Sequence, residues 1–173
     1  MAEQQVGASL GVVIMTVSDT RSAENDTSGD TLAERAEQAG HRVIERCIVP
    51  DDIYRIRAEV SRWITDERVE VVLSTGGTGL TGRDGTPEAV TPLLDKMIDG
   101  FGEVFRAISF DEIGTSALQS RAIAGVANGT VVFCLPGSTG ACRTGWDRLI
   151  REQLDIGNRP CNLAELMPRL RES

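Results

Sequence analysis

Three short apolar runs rich in β-branched residues, Leu10 to Val17, Val69 to Thr75 and Thr130 to Leu135, punctuate this chain and leave few folds open to it. Runs of that length with little polar alternation suit strands covered on both faces, not strands with one face in water. Between them, apolar residues recur at helical spacing: Ile53, Ile56, Val60, Trp63 and Ile64, then Phe101, Val104, Phe105 and Ile108, then Trp146, Leu149, Ile150 and Leu154. A weaker stripe of Leu32, Ala33, Ala36 and Ala39 ends at Gly40, a residue suited to a helix C-terminus. His41 to Val49 and Ala122 to Val126 read as further strands, and Thr115 to Ser120 as a helical turn. Strands alternating with amphipathic helices predict an α/β fold: a three-layer αβα sandwich on a mostly parallel sheet, with right-handed crossovers.

The 173 residues suffice for one domain, placed at 10–160, with tails at 1–9 and 161–173. Net charge is −8, and no cluster of Lys and Arg overrides the resulting repulsion, so nucleic acid is not an expected partner. No stretch approaches the ~20 apolar residues that span a bilayer, and Met1 to Leu10 lacks a basic segment leading into an apolar run. These features lead to the expectation of a cytoplasmic protein with no membrane partner. The four cysteines show no CxxC spacing, and three of them lie in or near apolar segments, where a free cysteine behaves as a small hydrophobe. His41, the single histidine, follows Gly40 at the start of a strand and reads as structural. Without a second histidine or a cysteine pair, neither a zinc site nor a serine-hydrolase triad has support.

In open α/β sheets ligands bind where loops leave the carboxyl ends of strands. Four loops are expected there: 18–27, 50–52, 76–86 and 136–139. The richest is Thr75-Gly76-Gly77-Thr78-Gly79-Leu80-Thr81-Gly82-Arg83-Asp84-Gly85-Thr86-Pro87-Glu88, in which residues lacking Cβ can turn backbone N–H groups onto an anion. It contains a GxGxxG at Gly77, Gly79 and Gly82, yet the dinucleotide version enters a helix at once, whereas here Thr86-Pro87 looks like the helix start. It also mimics a phosphate loop, but Arg83 and Asp84 replace the lysine and the hydroxyl that would meet magnesium. A nicotinamide oxidoreductase is therefore disfavoured, and a merely mobile glycine turn is the bland alternative.

Asp51 and Asp84 each follow a predicted strand, so both carboxylates are expected at one rim of the sheet, where they could hold Mg²⁺ together with phosphate oxygens. Asp51 could equally cap the helix that carries Ile53. Thr27 or Ser28 can cap the first helix and meet a phosphate at its N-terminus, with Gly29 beside them, and Ser138, after Pro136-Gly137, repeats that logic before the last helix.

Thr16-Val17-Ser18-Asp19, Asn25-Asp26-Thr27-Ser28-Gly29, Thr75 to Gly79, Gly82 to Glu88 and Leu135-Pro136-Gly137-Ser138 together resemble the molybdenum cofactor biosynthesis proteins of the MoaB/MogA type. The likeness runs from about Leu10 to Leu154, and Gly100 to Arg106 with Gly114 to Arg121 look closer to the bacterial MoaB branch. The resemblance implies a nucleotidyltransferase: molybdopterin and ATP are the substrates, magnesium assists, and adenylylated molybdopterin goes on to molybdate insertion. Carried onto this chain, it implies that Asp51 and Asp84 are the functional carboxylates and metal ligands, Gly76 to Gly79 the phosphate cradle, and Ser18, Asp19 and Ser138 substrate contacts. Thr75, Arg83, Glu88, Pro136 and Gly137 complete the expected binding set. A non-catalytic molybdopterin carrier is the alternative. The resemblance further implies a homo-trimer or homo-hexamer that works beside other molybdenum cofactor enzymes.

Overall fold

The computed structural model describes residues 8–172. In chain order its elements are β1 (Gly11–Val17), α1 (Thr27–Gln38), β2 (Arg42–Val49), α2 (Ile53–Trp63), β3 (Val71–Thr75), α3 (Thr86–Val90) and β4 (Lys96–Met97). There follow α4 (Asp99–Ile113), a 3-10 segment Gly114–Gln119, β5 (Ile123–Ala127), β6 (Thr130–Leu135), α5 (Thr139–Gly145), a π turn Trp146–Ile150, α6 (Arg151–Gln153) and α7 (Leu163–Leu166). The six strands form one sheet in the order β2-β1-β3-β6-β5-β4. The first four of that order are parallel, while β5 and β4 join the β6 edge antiparallel.

Every residue of β1, β3 and β6 is buried, which is why these strands read as unbroken apolar runs. Alternate side chains serve two cores. Val12, Ile14, Leu73 and Phe133 face α1, α4 and the π turn, meeting Leu32, Phe101, Phe105 and Trp146. Val13, Met15, Val72 and Val132 face α2 and α3, meeting Ile56, Val60, Trp63 and Ala89. These two cores make the three-layer sandwich. Strand β2, at the sheet edge, is only half-buried, and its pattern is correspondingly loose.

The residues read as a C-terminal tail at 161–173 include α7, whose Ala164 is buried and whose flanking Leu163, Met167 and Leu170 pack on the α1 core. Of the 1–9 tail, residues 1–7 lie outside the described residues. Among the described residues no helix is long and apolar enough to cross a membrane. Cys134 and Cys142 are buried thiols, pushed up to about 12 and about 11 by burial. His41 is buried, its Nδ1 accepts from Leu10 N at 3.3 Å, and burial lowers its pKa.

One helix start differs from expectation. Asp26, not Thr27 or Ser28, caps α1, because its carboxylate accepts from Gly29 N at 3.0 Å while also taking the Thr16 hydroxyl at 2.8 Å. Thr16 belongs to β1, so a tertiary contact selects among three adjacent residues that could each cap. Asp26 is 3 % exposed and also lies 3.6 Å from the Arg46 guanidinium. Asp26→Ala would orphan the Thr16 hydroxyl and the Gly29 amide together. We expect it to cost about 3 kcal/mol, measured by urea unfolding at neutral pH.

Candidate functional site

The carboxyl ends of β1, β2, β3 and β6 meet at one rim, tied by Ser18 N to Val49 O at 2.9 Å and Gly76 N to Leu135 O at 3.0 Å. Gly76 leaves β3 at φ +100 with its Cα pressed on β1: a Cβ there would stand 2.2 Å from Val17 O. Gly77 continues the turn at φ +66. Only glycine adopts such a pair of conformations at low cost. The loop then folds back on α3, where Thr86 Oγ1 donates to Gly76 O and Thr86 N to Gly77 O, both at 2.9 Å. Arg121 holds the next two carbonyls, its amide on Thr78 O at 3.3 Å and its Nε on Gly79 O at 2.8 Å. A planar trans peptide sends each N–H opposite the preceding carbonyl, so the Gly77 and Thr78 amides point away from Thr86.

This loop walls a cavity of about 520 Å³ together with Ser18, Ser28, Thr75, Asp84 and the Pro136–Ser138 turn. Ser138 caps α5, accepting from Ala141 N at 3.1 Å. The opposite lining comes from α4 and the 3-10 segment after it: Phe105, Ser109, Glu112, Ile113, Ser116 and Gln119. Arg21 is the one cation on the wall among the described residues.

Asp51 does not cap α2. Asp52 does, accepting from Tyr54 N and Arg55 N at 3.0 and 2.9 Å, which leaves the Asp51 side chain available. Asp51 donates its own amide to Asp19 Oδ1 at 3.1 Å and lies against Gly77, its Oδ1 within 2.9 Å of where a Cβ would stand. That Oδ1 is buried with no hydrogen-bond partner among the described residues. Burial first, then the charges of Asp19 and Asp84, raise the pKa of Asp51. Asp84 sits on the other flank of the same loop, 2.7 Å from the Cβ position of Gly79, its Oδ2 accepting the Thr81 hydroxyl at 2.6 Å and amide at 2.8 Å. The Thr81 hydroxyl chiefly holds its carboxyl below the ordinary range.

A raised carboxyl pKa has a defined consequence for stability. The unfolded chain sheds the Asp51 proton first, so this group's contribution falls as pH rises from the ordinary carboxylate range through the folded-state value. Asp51→Asn is therefore expected to be more stable than the parent at pH 7, with the advantage vanishing below the ordinary Asp pKa. Thermal melts across pH 3 to 7 measure it; a parent stabilised by its Asp51 charge would show the opposite trend.

Asp84 lines the cavity, whereas Asp51 and the remaining expected residues frame the loop around it. Asp19 accepts from Arg83 through both oxygens, at 2.9 and 2.8 Å, and its pKa is lowered chiefly by that guanidinium. Glu88 pairs with Arg121, Thr27 Oγ1 meets Thr139 Oγ1 at 3.0 Å, and the Gly29 amide is spent on Asp26. Arg121 and the α4 wall carry no role in the sequence reading. A signal for the wall exists: Ser109 and Glu112 follow Phe105 at i+4 and i+7, which puts polar groups on the helix face that carries the buried Phe105, Ser109 buried and Glu112 exposed. Nothing local marks Arg121, whose partners lie about forty residues away.

The sequence profile described as "Probable molybdopterin binding domain" matches residues 13–156. The Escherichia coli K12 protein called molybdenum cofactor biosynthesis protein B is 58% identical over 151 residues, covering 87% of this chain and 89% of that protein. The chain belongs to the molybdenum cofactor biosynthesis family. Its likeness to a crystal structure of a molybdenum cofactor biosynthesis protein B has a TM-score of 0.87 at 44% identity, covering 96% of this chain and 99% of that one. A Pyrococcus furiosus structure described as tungsten cofactor synthesizing protein MoaB follows at TM-score 0.79 and 35% identity, covering 95% and 98%. The matched span contains all four loops of the rim and both flanking carboxylates, so the family's shared fold carries this chain's candidate site.

Proposed function

We propose that this protein adenylylates molybdopterin with Mg-ATP in the cytoplasm, as a homo-trimer or homo-hexamer beside other enzymes of molybdenum cofactor assembly. One observation carries the reading: Asp51 and Asp84, from different loops, flank the same glycine turn, Asp84 on the cavity wall and Asp51 against Gly77, and Asp51 Oδ1 is buried without a partner among the described residues. Among the described residues no three His, Cys, Asp or Glu side chains group closely enough to hold a metal alone. Magnesium suits this donor set, because it binds through one or two carboxylates and takes its other ligands from phosphate and water. Asp51 and Asp84 would hold it, and when bound it would neutralise triphosphate charge.

The chain's own groups position the reactants. With the Gly76 to Gly79 carbonyls held from behind, the Gly77 and Thr78 amides are donors for phosphate oxygens, and Ser18 and Ser138 offer hydroxyls. The terminal phosphate oxygen of the pterin bonds to the α-phosphorus of ATP, the bond to the β-phosphate breaks, and pyrophosphate leaves. No covalent enzyme intermediate is needed, since phosphoryl-type transfer rests on alignment and charge neutralisation. Exposed Phe110 on α4 and Leu118 on the segment after it support self-association.

The test is to incubate the protein with molybdopterin, ATP and Mg²⁺ and follow pyrophosphate and adenylylated pterin. Both products are expected in equal amounts. Pterin binding without either product would replace the enzyme with a carrier.

A further inference from the structure

The cavity is too large and too mixed in chemistry for phosphates alone. Its α4 wall offers apolar Phe105 and Ile113 with one carboxylate, Glu112, at an edge. An acid is an unexpected lining for a pocket that takes phosphorylated ligands in a chain of net charge −8, since it repels them. Glu112 is itself exposed, and a ligand that brings hydrogen-bond donors to it offsets that repulsion. Among the described residues no cation pairs with Glu112, and its one side-chain partner is the Thr144 hydroxyl of α5, 2.9 Å from Oε2 and 3.2 Å from Oε1. Thr144 is 9 % exposed, so this anchor is fixed by packing. A carboxylate has about four acceptor sites, and one hydroxyl leaves most of them open.

We infer that Glu112 is the specificity residue that reads the 2-amino-4-oxo pyrimidine edge of the pterin, a conclusion that rests on the function proposed above and names how that site chooses its substrate. That edge presents the ring N3–H and the exocyclic 2-amino group side by side, two parallel donors that match the two oxygens of a carboxylate. Adenine sets its amino group beside the N1 lone pair, so a carboxylate gains one bond there and meets a repulsion. A 2,4-dioxo pteridine replaces the amino donor with a carbonyl and meets the same repulsion. The pterin ring then lies along Phe105 and Ile113, and its phosphate side chain extends toward the Gly76–Gly79 turn.

The experiment titrates three probes by fluorescence or calorimetry: 6-hydroxymethylpterin phosphate, its 2,4-dioxo (lumazine) counterpart, and Mg-ATP, each against the full chain and Glu112→Gln. Glutamine keeps an acceptor for Thr144 but presents only one acceptor oxygen, and a melting curve checks that the variant folds. The parent is expected to prefer the pterin over the lumazine by about 10²-fold or more, because a site built to hydrogen-bond a group strongly rejects the analogue lacking it. Glu112→Gln should lose most of that preference, with Mg-ATP binding unchanged. Unaltered pterin affinity and preference in Glu112→Gln would overturn the inference while leaving the proposed function standing, and so would a loss confined to Mg-ATP. A parent that binds neither pteridine would overturn the proposed function, and this inference with it.

Discussion

Asp84→Asn and Asp51→Asn are each expected to lower pyrophosphate release by at least about 10²-fold, the scale on which removal of a preorganised charge acts. The two sites should not add. If both carboxylates hold one ion against one triphosphate, the first loss already removes the unit, and the double variant should fall little further. Asparagine at 84 is the informative choice, since its amide oxygen can still accept from the Thr81 amide and hydroxyl that fix the turn. Activity is then lost with the loop intact. Asp84→Ala also removes that anchor and should lose stability too. At position 51 the two effects part in sign: Asp51→Asn gains stability at neutral pH while losing turnover, as expected of a group held in place for chemistry and not for folding. Turnover that survives in both asparagine variants would remove the assigned roles.

How far the sequence carried depended on how local each determinant is. The buried strands were legible because β1, β3 and β6 are covered on both faces, and an unbroken apolar run has little else to become. Strand β4 was not, since it has two exposed residues and exists only by pairing with β5. Caps were legible to within a residue or two. Asp26, Thr27 and Ser28 can each accept an amide, and Thr16 across the core decides among them. Asp51 and Asp52 are chemically alike, and Asp19, thirty-two residues away, takes the Asp51 amide and settles which of the two caps α2. The glycine turn announced itself in composition, whereas Arg121, which fastens that turn, and Glu112, which faces the cavity, depend on packing between distant segments.

Gly76→Ala is expected to be the most damaging single change at the rim. Two costs combine: a φ of +100 that an L side chain rarely adopts, and a methyl placed 2.2 Å from the Val17 carbonyl oxygen, a backbone atom that cannot swing aside. Together they should exceed about 3 kcal/mol, which for a domain of this size is roughly a 10 °C fall in melting temperature. Gly82→Ala in the same loop supplies the contrast, because no described residue lies within 4 Å of its added Cβ and its φ is not in the left-handed region, so a change within about 0.5 kcal/mol is expected. If the loop were only a mobile connector, the two substitutions would behave alike. A large gap between them in thermal melts, matched by loss of Mg-ATP binding in Gly76→Ala alone, would mean that β1 holds the turn in one shape and that phosphate recognition depends on that shape.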